Sequence, residues 1–282
     1  DTLPSRGLGD VYKRQELPDF NQAPPQPNAM SYRELTGYSM VVDAPLANES
    51  ALAISYNGIS QAVMMVTPGH MEDFVRGFSL STGIIKRFSE IRDIEIGGNG
   101  ESHFAQVEIS NRAFWDMKTQ RRNLAGTTGC GLCGVEALEQ ALPDLVPLPS
   151  SLPPSPLVFQ GLRGRIAEHQ KAAKISGALH AALFANSKGE ISLCREDIGR
   201  HNALDKLIGA MAVNEINPRS GFVIMTSRCS LELIHKAVRA EIATLVCLSA
   251  PTSLTVEWAR RNRLNLIHLP NNSPPRLYSP AP

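Results

Sequence analysis

Residues 195–209 read REDIGRHNALDKLIG and join a short apolar strand to a helix. The apolar residues of 190–194 fit a strand, and the spacing of apolar side chains in 202–211 fits one face of a helix. Short apolar strands and helices then alternate toward the end of the chain, at 222–226, 231–239, 244–248, 253–262 and 266–269. Such alternation predicts an α/β layer with a mostly parallel sheet.

The residues before this motif predict one more helix, over 157–173, and one more strand, over 178–185. Six prolines fall between Ala141 and Pro156. A proline-rich run is a semi-rigid spacer, so it is a natural boundary between two parts of a chain. We therefore predict a linker at 143–156, followed by a C-terminal α/β domain over 157–282.

The portion at 31–142 is predicted to be a smaller α+β unit. Asn57-Gly58 lies between two apolar runs, which is the strongest short-range signal for a β-hairpin. Pro68 is expected in the first turn of a helix that reaches Ile85. The other predicted elements of this portion are strands at 38–43, 51–56, 59–66, 91–96 and 104–109, and helices at 111–120 and 135–142.

The composition is that of an ordinary globular protein, with 43% hydrophobic and 20% charged residues. A formal net charge of +1 excludes a bulk attraction to nucleic acid or to a membrane surface. No apolar run approaches the length of a membrane span and no signal segment opens the chain, so a cytoplasmic protein is expected. Residues 1–30 are expected to be a disordered or non-native lead-in, since 1–15 lack periodicity and prolines follow.

Five cysteines are an odd number in a chain too large to need disulfides. Cys130 and Cys133 form a Cys-x-x-Cys pair within GTTGCGLCG, residues 126–134. In a reducing compartment such a pair is more often catalytic or metal-binding than structural. The remaining three fit small apolar core positions: Cys194, Cys229 and Cys247.

The loop at 126–134 has the features that sulfur transfer requires. Four glycines within nine residues make it pliable. The thiolate is the nucleophile, and positive charge from Arg121 and Arg122 would favour it, as would a helix N-terminus near Val135. A cysteine in this setting can accept sulfur as a persulfide from one partner and deliver it to another.

Three other interpretations of the cysteine pair remain open. A structural zinc site needs four ligands, of which the pair provides two. A thioredoxin-like redox pair would follow a strand, whereas this pair follows a predicted helix. A zinc deaminase joins His-x-Glu to Pro-Cys-x-x-Cys. His70 and Glu72 mimic the first half, but Gly129 replaces the proline, and a polar residue at a helix start explains His70 more simply.

The second candidate site is the helix start within 195–209. Arg200 and His201 stand at a helix N-terminus, which attracts anions. His201 and Asp205 share one helix face, so they can form a His–Asp pair. A charged helix cap is the simpler interpretation of the same residues.

Three further residues are candidates for this anion pocket. Arg228 and Lys236 can each contribute a positive charge, although a solvated helix face explains them equally well. His180 lies on a predicted apolar strand and is either a satisfied core histidine or a residue that lines the site.

The two motifs together resemble the FdhD/NarQ family of formate dehydrogenase accessory sulfurtransferases. SRCSLE at 227–232 and SAPTSL at 249–254 belong to the same resemblance, which runs from about Tyr56 to Tyr278. The resemblance implies a sulfur carrier that takes persulfide sulfur from a cysteine desulfurase. It would transfer that sulfur to a bis(molybdopterin guanine dinucleotide) molybdenum cofactor before the cofactor enters formate dehydrogenase.

The resemblance also implies that Cys130 carries the persulfide, and we predict that Cys133 assists. It implies a C-terminal domain similar to cytidine deaminases and a homodimer, and we expect no resident metal, nucleic acid or membrane partner. Two other functions are retained. One is a non-catalytic chaperone that only binds the molybdenum cofactor, and the other is a zinc-dependent deaminase-like hydrolase.

The chain departs from the family at the cofactor-binding segment near its C-terminus. That segment usually contains a glycine and an arginine, whereas residues 269–274 read LPNNSP. An anionic pyrophosphate would lose a charge-assisted partner there, although Arg276 lies two residues away. The residues predicted to bind cofactor are Leu269, Pro270, Asn271, Asn272, Ser273, Pro274, Arg200, His201 and Arg228.

Overall fold

The structure is a computed structural model that describes residues 28–35, 41–125 and 142–281. Three predictions lie partly outside these ranges. They are the lead-in at 1–30, of which residues 1–27 are not described, the first residues of the strand at 38–43, and nearly all of the helix at 135–142. Within the described residues, no helix combines the length and apolar character needed to cross a bilayer.

The N-terminal portion contains a two-stranded ribbon and a four-stranded sheet. Strands β1 (Asn28–Arg33) and β2 (Val41–Leu46) pair antiparallel to form the ribbon. The sheet has the order β4-β3-β6-β5. Its strands are β3 (Ser50–Tyr56), β4 (Ile59–Val66), β5 (Ile91–Asn99) and β6 (Ser102–Ile109).

The predicted hairpin at Asn57-Gly58 is confirmed, because β3 and β4 pair antiparallel across it. Both turn residues have positive φ, 45° for Asn57 and 79° for Gly58. This backbone matches the right-handed twist of the flanking strands. The local turn chemistry therefore sets the register of the pair.

Helix α1 (Met71–Ser81) is shorter than the helix predicted from Pro68 to Ile85. It starts later because His70 adopts a left-handed backbone with φ 52°, which a helix cannot include. It ends where Gly83, with φ 80°, turns the chain away. Helix α2 (Asn111–Ala125) extends the predicted one by five residues and leads toward the cysteine loop.

The second half is built on a six-stranded sheet with the order β12-β11-β10-β9-β7-β8. Its strands are β7 (His180–Asn186), β8 (Ile191–Asp197), β9 (Gly221–Met225), β10 (Thr244–Cys247), β11 (Asn265–His268) and β12 (Arg276–Ser279). The prediction of a mostly parallel sheet is wrong, since only β9, β10 and β11 pair in parallel. A tight turn reverses β7 into β8, and a short return adds β12 antiparallel to β11.

The helix predicted over 157–173 is three short pieces. They are a 3-10 turn (Pro156–Phe159), α3 (Leu162–His169) and α4 (Lys171–Ser176). Gly161 takes a left-handed φ of 65°, and Gln170 leaves the helical region, so the chain bends at both. The other helices agree with prediction to within two residues: α5 (Arg200–Val213), α6 (Leu231–Arg239) and α7 (Ser253–Arg261).

One apolar core joins the two halves of the chain. It includes Leu52 and Tyr56 of the four-stranded sheet together with Leu204 of α5 and Leu233 of α6. A smaller core on the opposite face of the six-stranded sheet packs under α3. The layers therefore follow one another in this order: α3, the six-stranded sheet, the helices that include α5 and α6, and the four-stranded sheet. The domain division at 143–156 stays a prediction.

Helices α1 and α5 approach each other so closely that glycine is required on both. A Cβ atom on Gly77 would lie 1.8 Å from the carbonyl oxygen of Asp205, and one on Gly209 would lie 1.9 Å from that of Asp73. Atoms of real side chains do not approach backbone this closely. The crossing consequently fixes where α5, with its candidate site residues, lies against the N-terminal half.

We expect His235 to make the fold less stable in mild acid. This residue of α6 is 6% exposed, and burial followed by the charge of Arg239 lowers the pKa of its ring to about 4. Unfolded histidine binds a proton near pH 6.5, so the unfolded chain holds more protons between these values. The contribution is complete above the unfolded pKa and is lost as pH falls toward 4. The free energy of unfolding should be about 2 kcal/mol lower at pH 5 than at pH 7 through this group.

Urea unfolding at the two pH values measures this loss. The ring of His235 lies 4.8 Å from that of Trp258, centroid to centroid, and a His235→Phe variant keeps a ring there. In this variant the loss of stability between the two pH values should be smaller by the same amount. An identical pH dependence in both proteins would show that His235 does not cause it.

Candidate functional site

The candidate residues gather at one edge of the six-stranded sheet. Strands β9, β10 and β11 are parallel, and β8 runs the same way because both it and β9 are antiparallel to β7. Their carboxyl ends therefore meet at one edge, which we call the carboxyl edge. Ligands of open α/β sheets bind in crevices at such edges. The segments that leave it are 198–201, 226–230, 248–252 and 269–275.

Much of the 195–209 motif is buried and holds the start of α5 in place. The Lys206 ammonium lies 2.8 Å from the Asp197 carboxylate, and both side chains are fully buried. Lys206 also donates to the carbonyl oxygen of Thr67 at 2.7 Å. Asp197 accepts from the backbone N–H groups of Gly199 and Thr67, and from Asn202. These polar groups satisfy one another and are not presented to a ligand.

Thr67, at the end of β4, is bonded to this motif through all of its polar groups. Its backbone N–H donates to Asp197 at 3.0 Å, and its carbonyl accepts from Lys206. Its hydroxyl accepts from the backbone N–H of Ile198 at 3.0 Å. The N-terminal half is thereby attached directly to the strand–helix junction of the candidate site.

The predicted His201–Asp205 pair is wrong, because Asp205 points into the core. It lies 2.7 Å from the Lys236 ammonium and accepts from the Ser81 hydroxyl at 2.6 Å. Burial raises the pKa of Asp205, and Lys236 opposes the rise. Lys236 therefore neutralises a buried carboxylate, which makes it a poor candidate for binding an external anion.

His201 faces the carboxyl edge and links two helix N-termini. Its Nε2 atom lies 3.2 Å from the hydroxyl oxygen of Ser230, the residue that precedes α6, and 3.7 Å from the Glu232 carboxylate. Burial, followed by the positive charges of Arg200 and Lys236, lowers the pKa of His201 to about 4. The ring is neutral near pH 7, so it can hydrogen-bond a ligand but adds no charge.

Arg200 and Arg228 make this part of the edge positive. His180, at the start of β7, is partly exposed, and its pKa is lowered by burial and then by these two guanidinium groups. The N-termini of α5 and α6 begin beside them, and a helix N-terminus adds partial positive charge. The structure thus brings together Arg200, His201 and Arg228 with His180, in an arrangement suited to an anion.

Segment 269–274 leaves the same edge two strands away, at about 10 Å from the end of β9 by ordinary strand spacing. Leu269 is buried, Pro270 is half-buried, and residues 271–274 are exposed. The segment is held by Arg163 of α3, whose guanidinium donates to the carbonyl oxygens of Leu248, Leu269 and Pro270. Sequence reasoning missed Arg163, because nothing in its neighbours along the chain indicates a contact 107 residues away.

Cys130 and Cys133 lie outside the described residues, as do the side chains of Arg121 and Arg122. Their proposed roles stay predictions. The other cysteines agree with the prediction of packing positions, since Cys229 and Cys247 are buried. Burial raises the pKa of Cys194 to about 12, so it is a poor nucleophile at neutral pH.

The deaminase-like pattern at His70 has a structural explanation. His70 precedes α1, and its Nδ1 atom lies 3.8 Å from the Asp73 carboxylate. Glu72 accepts from the Arg76 side chain at 3.1 Å. Within the described ranges, no cluster of three histidine, cysteine or carboxylate side chains is placed to hold a metal ion.

These observations define a layered α/β protein with positively charged side chains gathered at its carboxyl edge. The profile of the FdhD/NarQ family matches residues 47–281, and the chain belongs to that family. The family predicted from the cysteine loop and the 195–209 motif is thereby confirmed.

Relatives and a solved structure agree with this assignment. The chain is 44% identical over 236 residues to the sulfur carrier protein FdhD of Bordetella petrii, covering 83% of this chain and 84% of the relative. It is 43% identical over 230 residues to the protein of that name from Cupriavidus necator, covering 82% and 80%. A crystal structure of a candidate formate dehydrogenase accessory protein from Desulfotalea psychrophila superposes with a TM-score of 0.71. That match is 21% identical and covers 90% of this chain and 97% of that one, so it shows the fold.

Proposed function

We propose that this protein is a sulfur carrier that serves formate dehydrogenase. It takes persulfide sulfur from a cysteine desulfurase and passes it to a bis(molybdopterin guanine dinucleotide) molybdenum cofactor before that cofactor is inserted. The observation that carries the proposal is the match, over more than four-fifths of the chain, to relatives named sulfur carrier protein FdhD. The positive charges of Arg200 and Arg228 at the carboxyl edge support the cofactor half of the proposal.

Cys130 carries the sulfur in this proposal. Its thiolate attacks the terminal sulfur of the donor's persulfide, which forms a persulfide on Cys130 and releases the donor cysteine as a thiolate. Cys133 assists delivery by attacking the inner sulfur of Cys130. That step forms a Cys130–Cys133 disulfide and releases the terminal sulfur as hydrosulfide to the cofactor, after which a cellular thiol reductant restores both thiols.

The cofactor is the cargo, and its guanine nucleotide diphosphates are the anions that the carboxyl edge would bind. Arg200 and Arg228 would pair with phosphate oxygens, helped by the N-termini of α5 and α6. Neutral His201 would donate or accept one hydrogen bond. Residues 269–274 would contact the cargo mainly through backbone and the Asn271, Asn272 and Ser273 side chains.

The arrangement of the chain is part of the proposal. We propose that 157–282 has the layout of cytidine deaminases, supported by a mixed six-stranded sheet with helices on both faces. We also propose 31–142 as the smaller α+β portion, 143–156 as the linker, and a homodimer in the cytoplasm.

Sulfur loading tests the carrier role. After incubation with a cysteine desulfurase and cysteine, intact-mass spectrometry should show wild-type protein gaining one sulfur atom that a reductant removes. A Cys130→Ala variant should gain none, whereas Cys194→Ala, which removes a partly buried thiol whose pKa is raised, should load as wild type does.

The other outcomes separate the alternatives. Full loading of Cys130→Ala would exclude Cys130 as the carrier. An unloaded wild type with two free thiols at 130 and 133 would indicate a chaperone that only binds cofactor. An unloaded wild type with stoichiometric zinc would indicate the deaminase-like hydrolase.

A further inference from the structure

Arg163 lies where the ends of two neighbouring strands leave the sheet. Its Nε atom donates to the carbonyl oxygen of Pro270 at 3.3 Å. Its Nη2 atom donates to the carbonyl oxygen of Leu248 at 3.2 Å and to that of Leu269 at 2.5 Å. One guanidinium group on α3 therefore holds the residues that follow β10 and β11.

The charge of Arg163 is not neutralised by these contacts. All three acceptors are backbone carbonyl groups, and none of the ion pairs among the described residues includes Arg163. Burial lowers its pKa, yet an arginine remains protonated in a protein. A full positive charge is thus fixed against the first two residues of segment 269–274.

The segment itself contains no charged residue, since it reads LPNNSP. The nearest arginine along the chain, Arg276, is exposed and bonded to the Ser273 hydroxyl at 3.2 Å. An exposed side chain is screened by water and loses rotamer entropy when it binds. Arg163 is partly buried and already held by three acceptors, so it is the better-organised cation for this segment.

We propose that Arg163 is the residue that positions segment 269–274 and provides its positive charge for a guanine nucleotide diphosphate. The proposal deepens the proposed function and rests on it, because the nucleotide is the end of the molybdenum cofactor cargo. The cation comes from α3, on the face of the sheet opposite to α5. The cargo would then be bound by arginines at two places along the carboxyl edge: Arg200 with Arg228, and Arg163.

Guanosine diphosphate binding to the full chain tests this role. Isothermal titration with GDP and with guanosine should be compared for wild type, Arg163→Gln and Arg163→Lys. Arg163→Gln removes the charge and the three-acceptor geometry, so it should weaken GDP binding about tenfold or more and guanosine binding by much less, because guanosine has no phosphate for the charge to bind. It should also reduce the dependence of GDP affinity on salt. Arg163→Lys keeps the charge without the three-acceptor geometry, so its affinity should be intermediate.

Arg165 gives a matched control on the same helix. Its guanidinium also donates to backbone carbonyl oxygens, those of Val158 and Gln160, at 2.8 Å each, but these lie within its own segment. Arg165→Gln should therefore leave GDP affinity within about twofold of wild type. A similar loss in both variants would mean that α3 acts only as a scaffold, which overturns the proposal.

The remaining outcomes distinguish this proposal from the proposed function. Unchanged GDP binding in Arg163→Gln, with binding by wild type, overturns the role of Arg163 and leaves the cargo site standing. Equal losses for GDP and guanosine overturn the charge role. A wild type that binds no GDP overturns this proposal and the cofactor half of the function. Sulfur loading of Cys130 is measured separately and reports on the carrier half.

Discussion

Replacing Lys206 by methionine will lower the free energy of unfolding by about 3–5 kcal/mol. The substitution removes the ammonium that lies 2.8 Å from Asp197, and both side chains are fully buried. Water cannot reach the carboxylate that remains, so its charge loses its partner without gaining solvation. The carbonyl oxygen of Thr67 also loses its donor. Urea unfolding followed by circular dichroism measures the loss.

Lys86→Met is the matched control for that substitution. Lys86 also pairs with an aspartate, Asp116, at 3.4 Å, but the two side chains are 71% and 48% exposed. Exposed pairs contribute at most about 1 kcal/mol, so this variant should unfold close to wild type. Equal stability of the two variants would mean that burial does not determine the strength of the Lys206 pair.

Gly209→Ala will destabilise the protein by about 3 kcal/mol or more. The added methyl group would lie 1.9 Å from the carbonyl oxygen of Asp73 on α1, where backbone cannot move aside as a flexible side chain would. Helices α1 and α5 must separate to accommodate it, and that opens the core that both halves share. The midpoint of urea unfolding should fall markedly.

A second glycine-to-alanine change provides the comparison. Gly164 is inside α3, and a Cβ atom there would meet no heavy atom within 4 Å. Alanine is preferred over glycine inside a helix, so Gly164→Ala should stabilise the protein by about 0.5–1 kcal/mol. If Gly209→Ala behaved in the same way, the close crossing of α1 and α5 would not exist in solution.

The elements that local chemistry controls were predictable from the sequence. The hairpin at Asn57-Gly58 follows from the turn residues alone, and α6 follows from its apolar spacing. Elements that depend on distant pairing were not predictable. The short strand β12 exists because it pairs with β11, and the mixed character of the six-stranded sheet depends on which strands lie side by side.

The candidate site was predictable only in part, for the same reason. A strand that leads into a helix places Arg200 at a helix N-terminus, so its position at the carboxyl edge follows from local pattern. The burial of Asp205 and Lys206 does not follow from local pattern, because Asp205 pairs with a residue of α6 and Lys206 bonds to the end of β4. Arg163 left no signal in the sequence, since its acceptors lie 85 to 107 residues away.

Thr67 has a mechanical consequence for how the two halves of the chain can move against each other. Every polar group of this residue is hydrogen-bonded to the junction between β8 and α5, so Thr67 connects the two halves of the chain. A hinge at this point would break three hydrogen bonds at once, two of which are buried, and a buried donor or acceptor that loses its partner is costly. The end of β4 and the junction between β8 and α5 are therefore held together at this point. If the protein delivers sulfur as proposed, a movement that accompanies delivery would not be expected to bend the chain at this junction.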